Sequence, residues 1–183
     1  VDICLEALVA NASFIARSFA GDPKQLKEIL KAAISHHGIA VIDIISPCVT
    51  FHNKDQSYHS YTWGKENEMP LHDISYIPAL GEITIEDYEY GAVKEVALHN
   101  GGTILLKKID KDYDPTNIFD AVRVMEEAEQ NRWLLTGILY VDANMPDMFA
   151  NYNLVESPLN RLPNDKLRPE PDTLEAINRA MTH

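Results

Sequence analysis

Residues 13–45 set an apolar run, a capped helix and a second apolar run in immediate succession, and few folds accommodate that order. "SFIARSF" (13–19) reads as a short strand. In "GDPKQLKEILKAAISHHG", Asp22 carries an N-cap side chain and Pro23 takes the first helical position, where no N–H is needed. Gly38 follows the end. Leu26, Ile29, Leu30, Ala33 and Ile34 make an apolar stripe, with Asp22, Lys24, Lys27 and Glu28 on the solvated face. The run Ile39 to Ile45 is too continuous to be one-sided. It predicts a strand buried on both faces, as in parallel sheets covered by helices. The expected fold class is therefore α/β, built on a parallel βαβ unit with a right-handed crossover. Chemistry in such sheets gathers at the carboxyl ends of the strands. Cys48, directly behind Pro47, occupies that place.

The flanking sequence adds elements of both kinds. Ile3, Leu5, Leu8, Val9 and Ala12 have helical spacing in "DICLEALVANA". "NKDQSYHSYTWGKENEM" is polar and aromatic, with room for a short helix. From Glu82 the pattern alternates as strands do, broken near Tyr90-Gly91 and at Asn100-Gly101-Gly102. The second break is a hairpin signal, because Asn-Gly tolerates the positive φ of a tight turn. "DPTNIFDAVRVMEEAEQN" predicts a helix starting near Pro115 or Thr116, and "RWLLTGILYV" a buried strand. A loop-rich stretch from Asp142 leads to a last short helix, Asp172 to Met181.

The chain has 183 residues and 45% hydrophobic content, enough for one core with an appendage or for two small lobes. Its formal net charge of −12 repels nucleic-acid phosphates and anionic lipid heads, so neither is an expected partner. The longest apolar run, Trp133 to Val141, is about half of what crosses a bilayer. No basic region followed by an apolar core marks a secretory signal. Two cysteines make no disulfide framework and point to a reduced, cytoplasmic compartment, where the sequon Asn11-Ala12-Ser13 is idle. The chain opens at Val1 in the middle of an amphipathic pattern and reads as a cut piece.

Few residues are candidates for chemistry. Cys4 lies on the apolar face of the first helix and reads as a small core residue. Cys48 sits on a proline-fixed turn at a strand's carboxyl end, which suits a metal ligand or a nucleophile; the plain alternative is an inert buried thiol. As a nucleophile it needs a histidine base, and His52 and His59 are near in sequence, without the signature of a cysteine hydrolase. A zinc site from Cys48, His52, His59 and His72 has three, six and twelve intervening residues, which match none of the usual ligand pairs. His36 and His37 fit a helix C-terminus. Asp110, Asp112 and Asp114 lack the glycine and terminal glutamate of a calcium loop and read as an acidic helix start. There is no glycine-rich phosphate loop. On these residues alone no catalytic site is complete.

Several stretches do carry a family likeness. "ASFIARSFAGDPKQLKEILKAAISHHGIAVIDIISPCVTF", "LHDISYIP", "VALHNGGTILLKKID", "DYDPTN", "TGILYV", "SPLNRL" and "LRP" resemble the β subunits of 2-oxoacid:ferredoxin oxidoreductases, the subunits that bind thiamine diphosphate. The likeness runs from about Ile3 to Leu174, and "SPCVTF" is its most specific part. The Cys-Val-Thr-Phe form is more like the 2-oxoglutarate or broad 2-oxoacid branch than the pyruvate one. One departure is His52 ahead of Asn53, where the family commonly has Asn directly after the Phe.

The resemblance implies the C-terminal part of a thiamine-diphosphate-binding fold, residues 1–53, followed by an extension of hairpins and helices, residues 54–183. It implies oxidative decarboxylation of a 2-oxoacid, with CoA taking the acyl group and ferredoxin the electrons. An α subunit of the same enzyme is the implied partner. Thiamine diphosphate, Mg2+ and a 4Fe–4S cluster are the implied cofactors. By the same resemblance Cys48 is the cluster's fourth thiolate ligand. The other three ligands and the Gly-Asp-Gly segment that holds magnesium and diphosphate precede the region present here. The piece alone is then expected to be inactive. The competing expectation is a non-catalytic domain that keeps the fold and assembles with partner subunits.

Overall fold

A computed structural model describes residues 1–51, 53, 54, 57, 58, 60–78, 92–97, 102–109, 113–168 and 170–182. The chain divides into two compact units, Val1–Asp147 and Met148–His183.

The first unit opens with helix α1 (Ile3–Val9), whose N-cap Asp2 accepts from the N–H groups of Cys4 and Leu5. Strand β1 (Phe14–Phe19), helix α2 (Pro23–Ser35) and strand β2 (Ala40–Ile45) form the expected parallel βαβ unit, with Phe14 opposite Ala40 and Phe19 opposite Ile45. The helix starts as its residues dictate. Asp22 accepts from the N–H groups of Lys24 and Gln25, with Pro23 in the first turn. At its other end His36 is buried, its Nε2 2.8 Å from the buried Ser13 Oγ, so it fastens α2 to the start of β1. Helix-end electrostatics alone had accounted for that histidine in the sequence.

After β2 come α3 (Tyr61–Asn67), β3 (Glu68–Pro70) and β4 (Asp73–Ile77). Strands β5 (Ala92–Ala97) and β6 (Thr103–Ile109) pair antiparallel, with Ala97 opposite Thr103, as the Asn-Gly-Gly signal requires; residues 98–101 and the break at Tyr90-Gly91 lie outside the described residues. Helix α4 (Ile118–Asn131) is capped by Asn117, slightly later than Pro115 or Thr116, and β7 (Leu134–Val141) is buried along its length, as expected.

Two sheets result. One has the order β2-β1-β7-β3 and the other β4-β6-β5. In the first, β1 runs parallel to β2 and antiparallel to β7, and β7 runs parallel to β3. The core gathers Phe14, Ile15, Ile29, Ile138, Leu139 and Val141 between the sheet and helices α1, α2 and α4. Strand β2 departs from its expected burial. It is an edge strand among the described residues, Val41 and Ile42 are only half-buried, and Ile44 is 42% exposed. A continuous apolar run suits an interior strand with neighbours on both edges, and among the described residues only β1 pairs with it.

The second unit holds α5 (Met148–Asn151), a 3-10 turn (Leu159–Arg161), α6 (Asn164–Leu167) and α7 (Pro171–Met181). The last matches its expected span. Leu174, Ile177 and Met181 line one face of α7, and an Arg179–Glu175 ion pair at 3.0 Å lies one turn apart on it. None of the side chains described in this unit is buried.

Candidate functional site at the carboxyl end of the parallel strands

Strand β2 stops at Ile45, and Pro47 cannot continue a ladder because it has no N–H to donate. Pro47 is buried and Cys48 is exposed, so the turn is anchored on one side and presents the thiol on the other. The Phe51 N–H donates to the Cys48 carbonyl at 3.2 Å and closes that turn. Val49 and Phe51 are both exposed beside the thiol.

The chain then crosses the same end of the sheet. Asn53 Oδ1 accepts from the Tyr61 N–H at 3.1 Å, and Ser60 caps α3 through the Trp63 N–H. Tyr61 packs on the buried Phe19 at the end of β1, with ring centroids 5.7 Å apart. Gly64 permits the approach: a Cβ there would lie 2.4 Å from the Phe19 ring.

A directed chain of hydrogen bonds runs beneath. Ser18 Oγ donates to Gln25 Oε1 at 3.1 Å, Gln25 Nε2 to Thr136 Oγ1 at 3.2 Å, and Thr136 Oγ1 to Glu68 Oε1 at 3.1 Å. Burial holds the Glu68 carboxyl above its ordinary range; the Thr136 bond opposes this and Asp22 adds to it. The chain links β1, α2, β7 and β3, and its inner polar groups are satisfied. Sequence reasoning missed it. The only signal was polar Ser18 and Thr136 inside apolar strand runs.

Of the zinc alternative's residues the structure describes Cys48 and His72, and His72 is engaged elsewhere. His72 is buried, and its Nε2 accepts from the Ile138 N–H at 3.0 Å. Burial drives its pKa down to about 3, against a small opposing effect of Asp73, so the ring is neutral. It stacks on Tyr113, whose hydroxyl reaches the Ile138 and Leu139 carbonyls. His52 and His59 lie outside the described residues, and no group of three metal-binding side chains occurs among the described ones. Cys4 is the core residue expected: it is fully buried, and burial pushes its thiol up to about 12. Asp114 accepts from the Thr116 N–H and hydroxyl ahead of α4, a local turn; Asp110 and Asp112 lie outside the described residues. An open groove of 460 Å³ lined by Thr116, Tyr140, Asp142 and Asn144 sits past the carboxyl end of β7, which runs opposite to β1, and contains none of the candidates. No helix among the described residues is long and apolar enough to cross a membrane.

No family profile matches the chain. In structure it is similar to a 2-oxoglutarate:ferredoxin oxidoreductase from Magnetococcus marinus, solved with 2-oxoglutarate, coenzyme A and succinyl-CoA bound. The TM-score is 0.55 at 21% identity, over 92% of this chain and 45% of that one. The two share an α/β fold, here organised around the parallel βαβ unit that ends at Cys48. In sequence the chain is 40% identical over 68 residues to the β subunit of a 2-oxoacid:ferredoxin oxidoreductase from Saccharolobus solfataricus, 37% of this chain and 22% of the relative. It is 47% identical over 49 residues to a β subunit named likewise from Aeropyrum pernix, 27% of this chain and 16% of the relative. The chain is thus similar over part of its length to 2-oxoacid:ferredoxin oxidoreductase β subunits, and the match spans about a fifth of their length, or less.

Proposed function

We propose that this chain forms part of a β subunit that oxidatively decarboxylates a 2-oxoacid, passing the acyl group to CoA and the electrons to ferredoxin. 2-Oxoglutarate is the proposed substrate. An α subunit is the proposed partner, and a reducing cytoplasm, which suits two free cysteines, is the proposed setting. Residues 1–53 are assigned to the thiamine-diphosphate-binding domain and residues 54–183 to its extension.

The observation that carries the reading is the exposed Cys48 thiol on its Pro47 turn, at the carboxyl end of a parallel strand. A thiolate is the soft donor that iron–sulfur clusters take, and an exposed one meets a cluster without breaking the core. Cys48 therefore fits as one ligand of a 4Fe–4S cluster. Cys4 does not fit, since its sulfur is enclosed and donates to the Ala16 carbonyl, 3.9 Å away. A cluster so held would supply one-electron transfer toward ferredoxin. This chain's part is to fix that ligand: Pro47 anchors the turn, the Phe51–Cys48 hydrogen bond closes it, and Tyr61 and Gly64 brace the strand end through Phe19. No residue here is assigned to thiamine diphosphate or Mg2+. The chain by itself is proposed to be inactive.

Cys48→Ser in the assembled enzyme tests the assignment. A hydroxyl is a harder and poorer ligand for iron than a thiolate. Iron content and the cluster's electron paramagnetic resonance signal should fall, and ferredoxin reduction should fall with them, while thiamine diphosphate binding persists. An unaltered cluster and full ferredoxin reduction would overturn the assignment of Cys48 as a cluster ligand.

A further inference from the structure

The chain enters the β4-β6-β5 sheet at Asp73 and leaves it at Ile109, and residues on both sides are pinned to one stretch of β7. Ahead of β4, the Leu71 N–H donates to the Thr136 carbonyl at 2.9 Å, and His72 Nε2 accepts from the Ile138 N–H at 3.0 Å. Behind β6, the Tyr113 hydroxyl reaches the Ile138 and Leu139 carbonyls at 2.8 and 2.6 Å. The His72 and Tyr113 rings are both buried and stack on each other, 6.4 Å between centroids. The two pins therefore stand side by side, next to the end of the sheet where Asp73 faces Lys107.

Away from the pins the attachment is lighter. No strand of this sheet pairs with a strand of the other among the described residues, and helix α2 packs on β4. Ile74 and Tyr76 meet the core from β4, and both are only half-buried. Tyr76 carries the polar bonds to the helix. Its N–H donates to Glu28 Oε2 at 3.2 Å, and its hydroxyl pairs with Ser35 Oγ at 2.7 Å, about two turns further along one face of α2. Burial works against the Glu28 charge, but the Lys31 ammonium and the Tyr76 N–H hold its carboxyl below the ordinary range, so the bond to the backbone is charge-assisted. Neighbouring peptide groups point to opposite sides of a strand. The Tyr76 amide thus faces α2, while those of Ser75 and Ile77 face their partners Leu105 and Thr103 on β6. The Tyr76 bonds hold the sheet to the helix and take no part in holding the sheet together.

The end of the sheet away from the pins borders the groove past β7. Ala97, opposite Thr103, is exposed and lines one side of its 460 Å³. The other walls, Thr116, Tyr140, Asp142 and Asn144, belong to the approach to α4 and the end of β7. A turn of the sheet about His72 and Tyr113 carries Ala97 with it and leaves those walls in place.

We propose that the β4-β6-β5 sheet is a hinged flap. It swings as one piece on the His72 and Tyr113 pins, is latched to α2 by Tyr76 through Glu28 and Ser35, and sets the opening of the groove between Ala97 and Asp142. This rests on neither the cluster assignment nor the proposed activity. The latch is best removed from the helix side, since alanine suits a helix and leaves Tyr76 in place. In the full chain, Glu28→Ala with Ser35→Ala should speed exchange of the Tyr76 amide ~10-fold or more, the scale of a lost hydrogen bond. The Ser75 and Ile77 amides and those of β1 and β7 should keep their rates, because the sheet and the core stay intact. Nitroxides at Ala97→Cys and Asn144→Cys, in a Cys48→Ser background that leaves the enclosed Cys4, should report a longer and broader distance distribution in the double variant. Ser35→Ala alone should give the same pattern to a smaller degree, which keeps the test open if the double variant folds poorly. Equal acceleration of Tyr76, Ser75 and Ile77 would overturn the proposal, since β4 would then fray rather than swing. So would acceleration that extends to β1 and β7, or an unchanged label distance.

Discussion

Arg17 and Asp43 stand opposite one another in the β1–β2 register, and the Arg17 Nε–H donates to Asp43 Oδ2 at 2.8 Å. The Arg17 Nη2 reaches both oxygens of Asp2 at 2.7 Å. One guanidinium thus ties the N-cap of α1 to both strands of the βαβ unit. Burial opposes its charge, but the two carboxylates outweigh that and hold it firmly protonated.

Removing the cation leaves two carboxylates facing each other in a largely enclosed place. Arg17→Met should lower the stability of the chain by about 3–5 kcal/mol, the range for breaking a buried ion pair from one side. Arg17→Lys should restore only part of it, because a lysine cannot span both carboxylates with a planar fork. Urea unfolding of the two variants measures the difference. Losses below about 1 kcal/mol for Arg17→Met would show that the pair behaves as an exposed one.

His72 supplies a pH dependence whose sign is fixed by its burial. Its pKa falls from the ordinary 6.5 to about 3 in the folded chain, so between those values the unfolded state binds a proton that the folded state does not. Stability is full above 6.5 and declines as pH falls, by about 1.4 kcal/mol per unit. His72→Gln keeps an acceptor for the Ile138 N–H and has no proton to gain. Its unfolding midpoint should be lower at pH 7.5 and flatter between pH 6.5 and 5. Identical slopes for the two proteins would mean that His72 is hydrated.

Gly137 explains how a histidine comes to sit against a strand backbone. Its φ is +125°, and a Cβ added there would lie 3.1 Å from the His72 ring. The backbone conformation strains any side chain there, and the His72 ring would have to give way slightly. Gly137→Ala should cost about 1–3 kcal/mol, the usual scale for an unfavourable backbone region. Thermal unfolding would reveal it, and a variant as stable as the parent would show that β7 relaxes around the change.

The βαβ unit was legible because its signals are local. Asp22, Pro23 and the stripe of α2 determine a helix within one turn of its start, and the helix brings two apolar runs side by side. What was not legible depends on residues far apart. Nothing in "LLTGILYV" says that β7 should enter antiparallel beside β1, and the pairing of Gln25 with Thr136 joins positions 111 apart. His72 was considered as a ligand because its partner is a backbone N–H, which no side-chain pattern discloses. β2 read as buried on both faces because its run is apolar throughout, but among the described residues it pairs only with β1 and is half-buried. The place of Cys48 at the strand's carboxyl end was legible from Pro47, and the thiol is accessible there, as a strand-end turn leads one to expect.

The two cysteines give the most direct check on that place. Cys4 is enclosed, burial pushes its thiol up to about 12, and an alkylating reagent can reach it only when the first unit opens. Cys48 is exposed on its turn and needs no opening. Thiolate is the reactive form, so access and ionisation act in the same direction for Cys4 and suppress it twice. In the folded chain at pH 8, iodoacetamide should label one thiol, identified by peptide mapping as Cys48, and a second only in denaturant. The protection of Cys4 should disappear with the stability of the unit, so Arg17→Met should speed its labelling and leave that of Cys48 unchanged. Rapid native labelling of both thiols would place Cys4 outside the core, and slow labelling of both would remove Cys48 from the surface on which its proposed role depends.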